Sequence, residues 1–193
     1  MKRAALVAAA LLGLGAAGDK IAPGSYCPLP EGDEPPACLQ DATESYGGFF
    51  AGLEQGQVPP DALARVEDDL AGDERYRALS SLSYAYYVLS LRAAESEQVD
   101  AQTAERLEHW NQLLGTAYVT SDDVAFRSAL REAAGDLQER APGVQVRCSD
   151  AEGNRTECTS TEVMLASMTD TRDRTGLRGL VGRLLESIFG GGG

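Results

Sequence analysis

Residues 73–97 read DERYRALSSLSYAYYVLSLRAAESE and contain the strongest secondary-structure signal in the chain. Apolar side chains recur there at three- and four-residue steps, which places them on one side of a helix: Tyr76, Leu79, Leu82, Tyr86 and Leu89. Tyr84, Val88 and Leu91 widen this face. A helix that is apolar over so much of its circumference is typical of the middle of a bundle. We therefore predict that the other helices pack around it.

Four further helices are predicted on the same spacing. The first covers residues 39–56, and the second opens at Pro60 and closes at Gly72. The fourth starts near Asp100, with an inward face of Ala104, Leu107, Trp110, Leu114 and Ala117. The fifth follows residue 121 and stops before Pro142. About five antiparallel helices with short connections predict a mainly α fold, either a bundle or a short helical array.

Three details of these helices are open to test. Asp73 and Ser121 are the predicted N-caps of the third and fifth helices. Gly47 and Gly48 fall inside the first helix, where each glycine costs about 1 kcal/mol. We expect a neighbouring helix to pack closely there, and a ligand approaching the backbone is the alternative.

After Gly143 the period changes from helical to alternating. Val144, Val146 and Cys148 alternate, residues 150–154 are typical of a turn, and residues 155–159 form the return strand. This pattern predicts a β-hairpin. Thr159 and Glu162 can then form a capping box for a short helix that continues through residue 168.

All four cysteines are predicted to form disulfides. Of the three possible connectivities we favour Cys27–Cys38 and Cys148–Cys158, because each pair closes a short loop rich in turn residues. The alternative is a metal site. We predict no metal and no cofactor, since the spacings are not those of zinc ligands and the single histidine, His109, is distant in sequence.

Residues 1–18 have the layout of a cleaved signal peptide: a basic start, an apolar stretch and small residues before Asp19. Cleavage after Ala17 or Gly18 would leave a periplasmic or secreted protein, and an uncleaved membrane anchor is the alternative. Removing Lys2 and Arg3 takes the net charge from −13 to −15. Such an acidic surface repels phosphate backbones, which disfavours nucleic-acid binding. The scarcity of lysine beside abundant arginine and alanine indicates a bacterial source.

The C-terminal segment carries one apolar stripe, which we call the C-terminal stripe: Leu177, Leu180, Val181, Leu184, Leu185, Ile188 and Phe189. Arg178, Arg183 and Glu186 lie elsewhere on the helical wheel. The stripe predicts an amphipathic helix. This helix would dock on the bundle or bind a protein partner. A third alternative is that it lies on a membrane surface, which the negative charge of the whole chain disfavours. Five parts of the chain result: 1–18 signal peptide, 19–38 proline-rich loop, 39–141 bundle, 142–162 hairpin, and 163–193 C-terminal helices with a glycine tail.

No nucleotide-binding or nucleophile motif is present in the sequence. The leading hypothesis is therefore a cell-envelope protein that acts by protein–protein binding, as an accessory or scaffold subunit, with the C-terminal stripe as its partner-binding element. The first alternative is an acidic inhibitor or ligand-binding module that uses the negative surface or Tyr84, Tyr86 and Tyr87. The second is a glycan hydrolase that uses the densest acidic group: Glu67, Asp68, Asp69, Asp73 and Glu74. Asp150, Glu152 and Asn154 are candidate calcium ligands, although turn formation explains them equally well.

Overall fold

The computed structural model describes residues 20–32, 34–96, 100–149, 153–165 and 168. These residues form a mainly helical fold with one two-stranded antiparallel sheet, which confirms the predicted fold class. The elements are α1 Gln40–Ser45, α2 Gly47–Glu54, α3 Pro60–Leu70, α4 Arg75–Glu95, α5 Ala101–Thr120, α6 Val124–Arg140, β1 Gln145–Ser149 and β2 Arg155–Thr159. A short 3-10 turn, Ala37–Leu39, precedes α1, and residues 160–165 are helical again.

Helix α4 is the centre of the fold, as its sequence predicts. Residues 78–87 are all buried, and α4 contacts α1, α3, α5 and α6. Its serines are buried with the apolar residues because short side chains let neighbouring segments approach closely. The hydroxyls of Ser80 and Ser81 are satisfied within the helix by donating to the carbonyls of Tyr76 and Arg77, at 2.9 and 2.8 Å.

The predicted first helix is divided in two at Tyr46. Its backbone, at φ −118° and ψ 40°, leaves the helical region and separates α1 from α2. The Tyr46 hydroxyl donates to Asp69 of α3 at 2.8 Å, and burial together with this carboxylate raises the pKa of the tyrosine. The break in the helix therefore coincides with a contact between two residues that are 23 positions apart in sequence. Local helix spacing does not predict such a break.

The close backbone approach in this region lies at Gly52, which corrects the prediction for Gly47 and Gly48. A Cβ on Gly52 would stand 2.6 Å from Cδ of Pro59 and 2.8 Å from the carbonyl oxygen of Gln57. A Cβ on Gly48 would make an ordinary 3.7 Å contact with Ala62, and one on Gly47 would meet no described atom within 4 Å. Glycine is therefore required at position 52, where α2 packs against the chain that leads into α3.

Two predicted N-caps are wrong, and the predicted start of α5 is confirmed. The N-cap of α4 is Glu74 rather than Asp73, and it has no side-chain cap bond. Asp123, not Ser121, caps α6 by accepting from the amides of Ala125 and Phe126. The hydroxyl of Ser121 instead accepts from the Asp123 amide at 3.2 Å. The predicted start of α5 is confirmed, because Asp100 accepts from the Thr103 amide at 2.9 Å.

The proline-rich loop that precedes α1 enters the core. Tyr26, Cys27 and Leu29 are buried there, whereas the sequence indicates a segment with little to bury. The Cys27 amide donates to the hydroxyl of Ser80 in α4 at 2.9 Å. Asp136 of α6 accepts from the Leu29 amide at 2.6 Å. The Cys27–Cys38 disulfide forms as predicted, with Cα atoms 5.9 Å apart, so this loop is held by both covalent and polar contacts.

The hairpin follows the predicted strands, and Cys148–Cys158 joins them. In the register Cys148 lies opposite Thr156 and Val146 opposite Cys158, so the disulfide crosses the ladder diagonally. The predicted capping box is confirmed: the Thr159 amide donates to Glu162 at 2.6 Å, and the Glu162 amide donates to the Thr159 hydroxyl at 3.2 Å.

Candidate functional site

Helix α5 has one face in the core and one at the surface. Leu107, Trp110, Leu114 and Tyr118 are buried at steps of three and four residues. Ala117, which the sequence places inward, is only half-buried, and Tyr118 is buried in its place. The core therefore takes a slightly rotated stripe of α5 and leaves the residues between Asn111 and Ser121 to form a surface.

The second half of α5 carries no charge although much of it is exposed. Residues 110–121 read WNQLLGTAYVTS, in a chain of which 24% is charged. Gln112, Thr116, Val119 and Thr120 are exposed, and we call these four residues the α5 face. Val119 is 55% exposed. Depletion of charged residues is the compositional feature of the centres of protein interfaces. The α5 face is therefore the first candidate for a binding surface.

One cavity of about 630 Å³ lies between the α5 face and the hairpin, and we call it the hairpin groove. Val119 and Gly115 of α5 form one wall, and Val163 and Met164 of the short helix form the other. Among the described residues three large apolar side chains are exposed, and two of them, Val119 and Val163, line this groove. Arg147 and Glu108 are its charged lining residues.

The inner side of the hairpin groove is polar and anchored to α4. The Tyr86 and Ser160 hydroxyls are 2.6 Å apart, and both residues are buried. Burial raises the pKa of Tyr86, against the opposing effect of hydrogen bonds with Ser160, Asn111 and Ser90. The Asn111 Oδ1 atom is buried and accepts no hydrogen bond from any described residue. The groove thus has an apolar rim, and the Asn111 Oδ1 atom lies beneath its surface, out of contact with solvent.

A second cavity, of about 600 Å³, lies on the other side of α5 and is called the carboxylate groove. Thr116 and Thr120 line both grooves, so the α5 face is a ridge between two cavities. Leu70, Leu113 and Phe126 are the large apolar lining residues. Cavities of this size are in the range of small-molecule and helix-anchor sites.

The charged lining of the carboxylate groove is largely engaged in structural contacts. Arg75 donates to Asp123 at 2.8 Å while its guanidinium lies 5.1 Å from the Phe126 ring centre. Both charged side chains are one-third exposed, so water screens this ion pair. Glu67 contacts the His109 ring at 2.9 Å. Asp122 is exposed at the rim. Three carboxylates and one guanidinium make the groove acidic.

The acidic group of residues 67–74 is distributed among different partners. Glu67 contacts His109 of α5, Asp69 accepts from Tyr46, and Glu74 pairs with Arg77. Arg77 also pairs with Asp41 of α1 at 2.8 Å. Glu67 and Asp69 therefore link α3 to α5 and to Tyr46, whereas Glu74 pairs within the start of α4, and Arg77 links α4 to α1. In the described residues no group of three or more metal-ligating side chains converges.

The other predicted site residues are either buried in the core or outside the described residues. Tyr84, Tyr86 and Tyr87 are buried and pack in the core, so they do not line an open site. The C-terminal stripe lies outside the described residues, as do Asp150 and Glu152 of the candidate calcium turn. No helix in the described part of the chain is long and apolar enough to span a bilayer.

A comparison with protein-family models, curated proteins and solved structures finds no match for the chain.

The sequence does contain a signal for the α5 face that periodicity alone does not reveal. Residues 78–91 are also uncharged, but they belong to the central helix and are mostly buried. Residues 110–121 are uncharged on a helix whose first half is highly charged, with Glu105, Arg106 and Glu108. An uncharged run on a peripheral helix has the low charge that is typical of the centres of protein interfaces.

Proposed function

We propose that this chain is an exported bacterial envelope protein that acts by binding another protein, as an accessory or scaffold subunit. The observation that carries the proposal is the α5 face, an uncharged exposed ridge with a cavity on each side. Export is supported by the signal-peptide layout of residues 1–18 and by two disulfides, which persist in oxidising compartments.

The shape of the surface favours helix-in-groove recognition. A partner helix packs its apolar side chains into a groove at three- and four-residue spacing. Each groove beside α5 runs along the helix, from residue 108 to 120 in the hairpin groove and from 113 to 120 in the carboxylate groove. Val119 is the exposed apolar side chain of the α5 face and lies near one end of the hairpin groove.

The C-terminal stripe is the second surface through which this chain would bind a partner, and it rests on the sequence pattern alone. Its seven apolar side chains have the anchor spacing of a helix that enters a groove. Because the stripe and the α5 face consist of different residues, mutations in one can distinguish binding through the stripe from binding through the α5 face.

A second candidate function is the binding of a cationic ligand with an apolar body in the carboxylate groove. The observation that favours it is the combination of Glu67, Asp122 and Asp123 with Leu70 and Phe126 around one cavity. Binding of this kind weakens as salt increases, because the rim carboxylates are exposed to solvent. Salt-independent binding of a cationic amphiphile would argue against it.

The experiment that tests protein binding compares two valine substitutions in the full chain. Val119→Asp places a charge on the α5 face, whereas Val124→Asp places the same charge at an exposed position of α6 that lines neither groove. Both variants serve as bait in a cross-linked pull-down from the envelope fraction of the native host. We expect Val119→Asp to lose at least tenfold of the captured partner and Val124→Asp to retain it. Equal capture by both variants would exclude the α5 face.

A parallel pair separates the C-terminal stripe from the α5 face. Leu184→Asp changes the charge by −1 within the stripe, and Arg183→Gln makes the same change off the stripe. Loss of the partner with Leu184→Asp alone would assign binding to the stripe. Failure of all four variants to alter capture would refute protein binding through either surface.

A further inference from the structure

The hairpin groove follows one side of α5, and the C-terminal stripe is predicted from the sequence to form a helix of the same length. We propose that the C-terminal stripe of this chain occupies its own hairpin groove. The groove is lined on α5 from Glu108 to Thr120, twelve residue steps that span about 18 Å at the helical rise. The stripe extends from Leu177 to Phe189, also twelve steps and so the same length.

The short helix that precedes the C-terminal segment lines the hairpin groove, whereas Met168 lies beside Leu165 on the α6 side of that helix. The helix over residues 160–165 supplies Val163 and Met164 to the groove wall, and Met168 is the last described residue. Residues 169–176 lie between Met168 and the stripe and reach up to about 26 Å when extended. Crossing a helix about 10 Å wide requires less than half of that reach. The tether therefore permits docking within one chain, at the millimolar effective concentration of a short linker.

Charge also favours docking of this segment on the rest of the chain. Residues 169–193 contain four arginines and three acidic residues, while the whole chain has 30 acidic residues to 17 basic ones. The segment is thus weakly basic and the remainder is strongly acidic. The lining of the hairpin groove itself carries one charge of each sign, Glu108 and Arg147, so the attraction comes from the net negative charge of the rest of the chain.

Docking has a consequence that rests on the proposed function. The stripe would cover the hairpin side of the α5 face, so a protein partner of that face must displace it.

The test is photo-crosslinking of the purified full chain without any partner. Photoreactive p-benzoylphenylalanine replaces Val119, and the matched control carries it at Val124, which is 71% exposed and outside both grooves. We expect the probe at 119 to cross-link to residues 177–189 within the monomer, and the control to give less than a tenth of that product. Leu184→Asp should reduce the 119 product at least fivefold, and Arg183→Gln should leave it unchanged.

Several outcomes would overturn docking within the chain. Cross-links that form only between two chains would identify a second copy as the occupant. Cross-links to residues other than 177–189 would also overturn it. So would the absence of any product from a chain whose helical circular dichroism is unaltered. If the 119 probe prevents folding, the same probe at Gln112, exposed in the same groove, replaces it. Because no partner is present, a negative result leaves the pull-down comparison of Val119→Asp and Val124→Asp unaffected.

Discussion

Asp136 is the residue whose removal tests how the N-terminal loop is attached to the core. Its carboxylate accepts from the Leu29 amide at 2.6 Å and from the Tyr26 hydroxyl at 3.3 Å. It also pairs with Arg140 at 2.9 Å, and the side chain is only 12% exposed. Arg140 in turn donates to the Leu29 carbonyl at 3.0 Å. Asp136→Ala therefore leaves two buried donors on the loop without their acceptor.

The expected cost follows from these distances. A short hydrogen bond from a buried amide to a carboxylate contributes about 2 kcal/mol, and the longer bond from Tyr26 about 1 kcal/mol. The Arg140 pair is partly exposed and adds less than about 1 kcal/mol. We expect Asp136→Ala to lower the free energy of unfolding by about 3 kcal/mol, which for a chain of this size lowers Tm by about 6–12 °C.

Urea unfolding under non-reducing conditions measures this change, because both disulfides then stay intact. Asp136→Asn keeps one carbonyl acceptor and should lose about half as much stability. Glu139→Ala removes an exposed carboxylate from the same helix and should stay within about 0.5 kcal/mol of the parent. An Asp136→Ala variant as stable as Glu139→Ala would refute the conclusion that these bonds hold the loop in place.

Two further predictions concern packing and pH. Gly52→Ala should destabilise the fold by about 1–3 kcal/mol, because its Cβ would meet the backbone of residues 57 and 58, whereas Gly47→Ala should be neutral or slightly stabilising in a denaturant titration. Similar stabilities of these two variants would contradict the close approach at Gly52. Hydrogen bonds from the backbone amide and the side chain of Thr159 lower the pKa of Glu162 below its ordinary value of 4.5. The capping box should therefore be fully stabilising above pH 4.5. Its contribution should weaken as the pH falls through the lower pKa of the folded state. An NMR titration of the Glu162 carboxyl group with a midpoint at or above 4.5 would be inconsistent with this bond.

Local sequence signals predict the parts of this fold that depend on local interactions. The central helix, the hairpin and the Thr159–Glu162 capping box all involve residues within one element or one turn. The cysteine pairs belong to the same class, since each closes a loop of 10 or 11 residues. Periodicity and turn chemistry carry this information because neighbours in sequence are neighbours in space.

The wrong predictions share a dependence on contacts between distant residues. The break at Tyr46 accompanies a bond to Asp69, and burial of the proline-rich loop depends on Ser80 and Asp136, which are 53 and 107 residues from their partners. Proline content correctly excludes a helix there, but it says nothing about whether the loop enters the core. A segment with few apolar residues becomes buried when its backbone amides find side-chain acceptors on the helices beneath it.

The α5 face shows the same limit for a functional surface. Helical spacing assigns Ala117 to the core, but the hairpin and α6 flank α5, leaving Tyr118 inside and a ridge of small uncharged residues outside. Which face of a peripheral helix is covered depends on the elements that pack beside it, and these are joined by contacts far apart in sequence. Charge depletion is different, because the absence of charged residues can be seen in the sequence without knowing how the helices pack. An uncharged run on an otherwise charged helix is therefore a candidate interface that the sequence alone can indicate, and the photo-crosslink from position 119 tests whether the chain's own C-terminal stripe binds there.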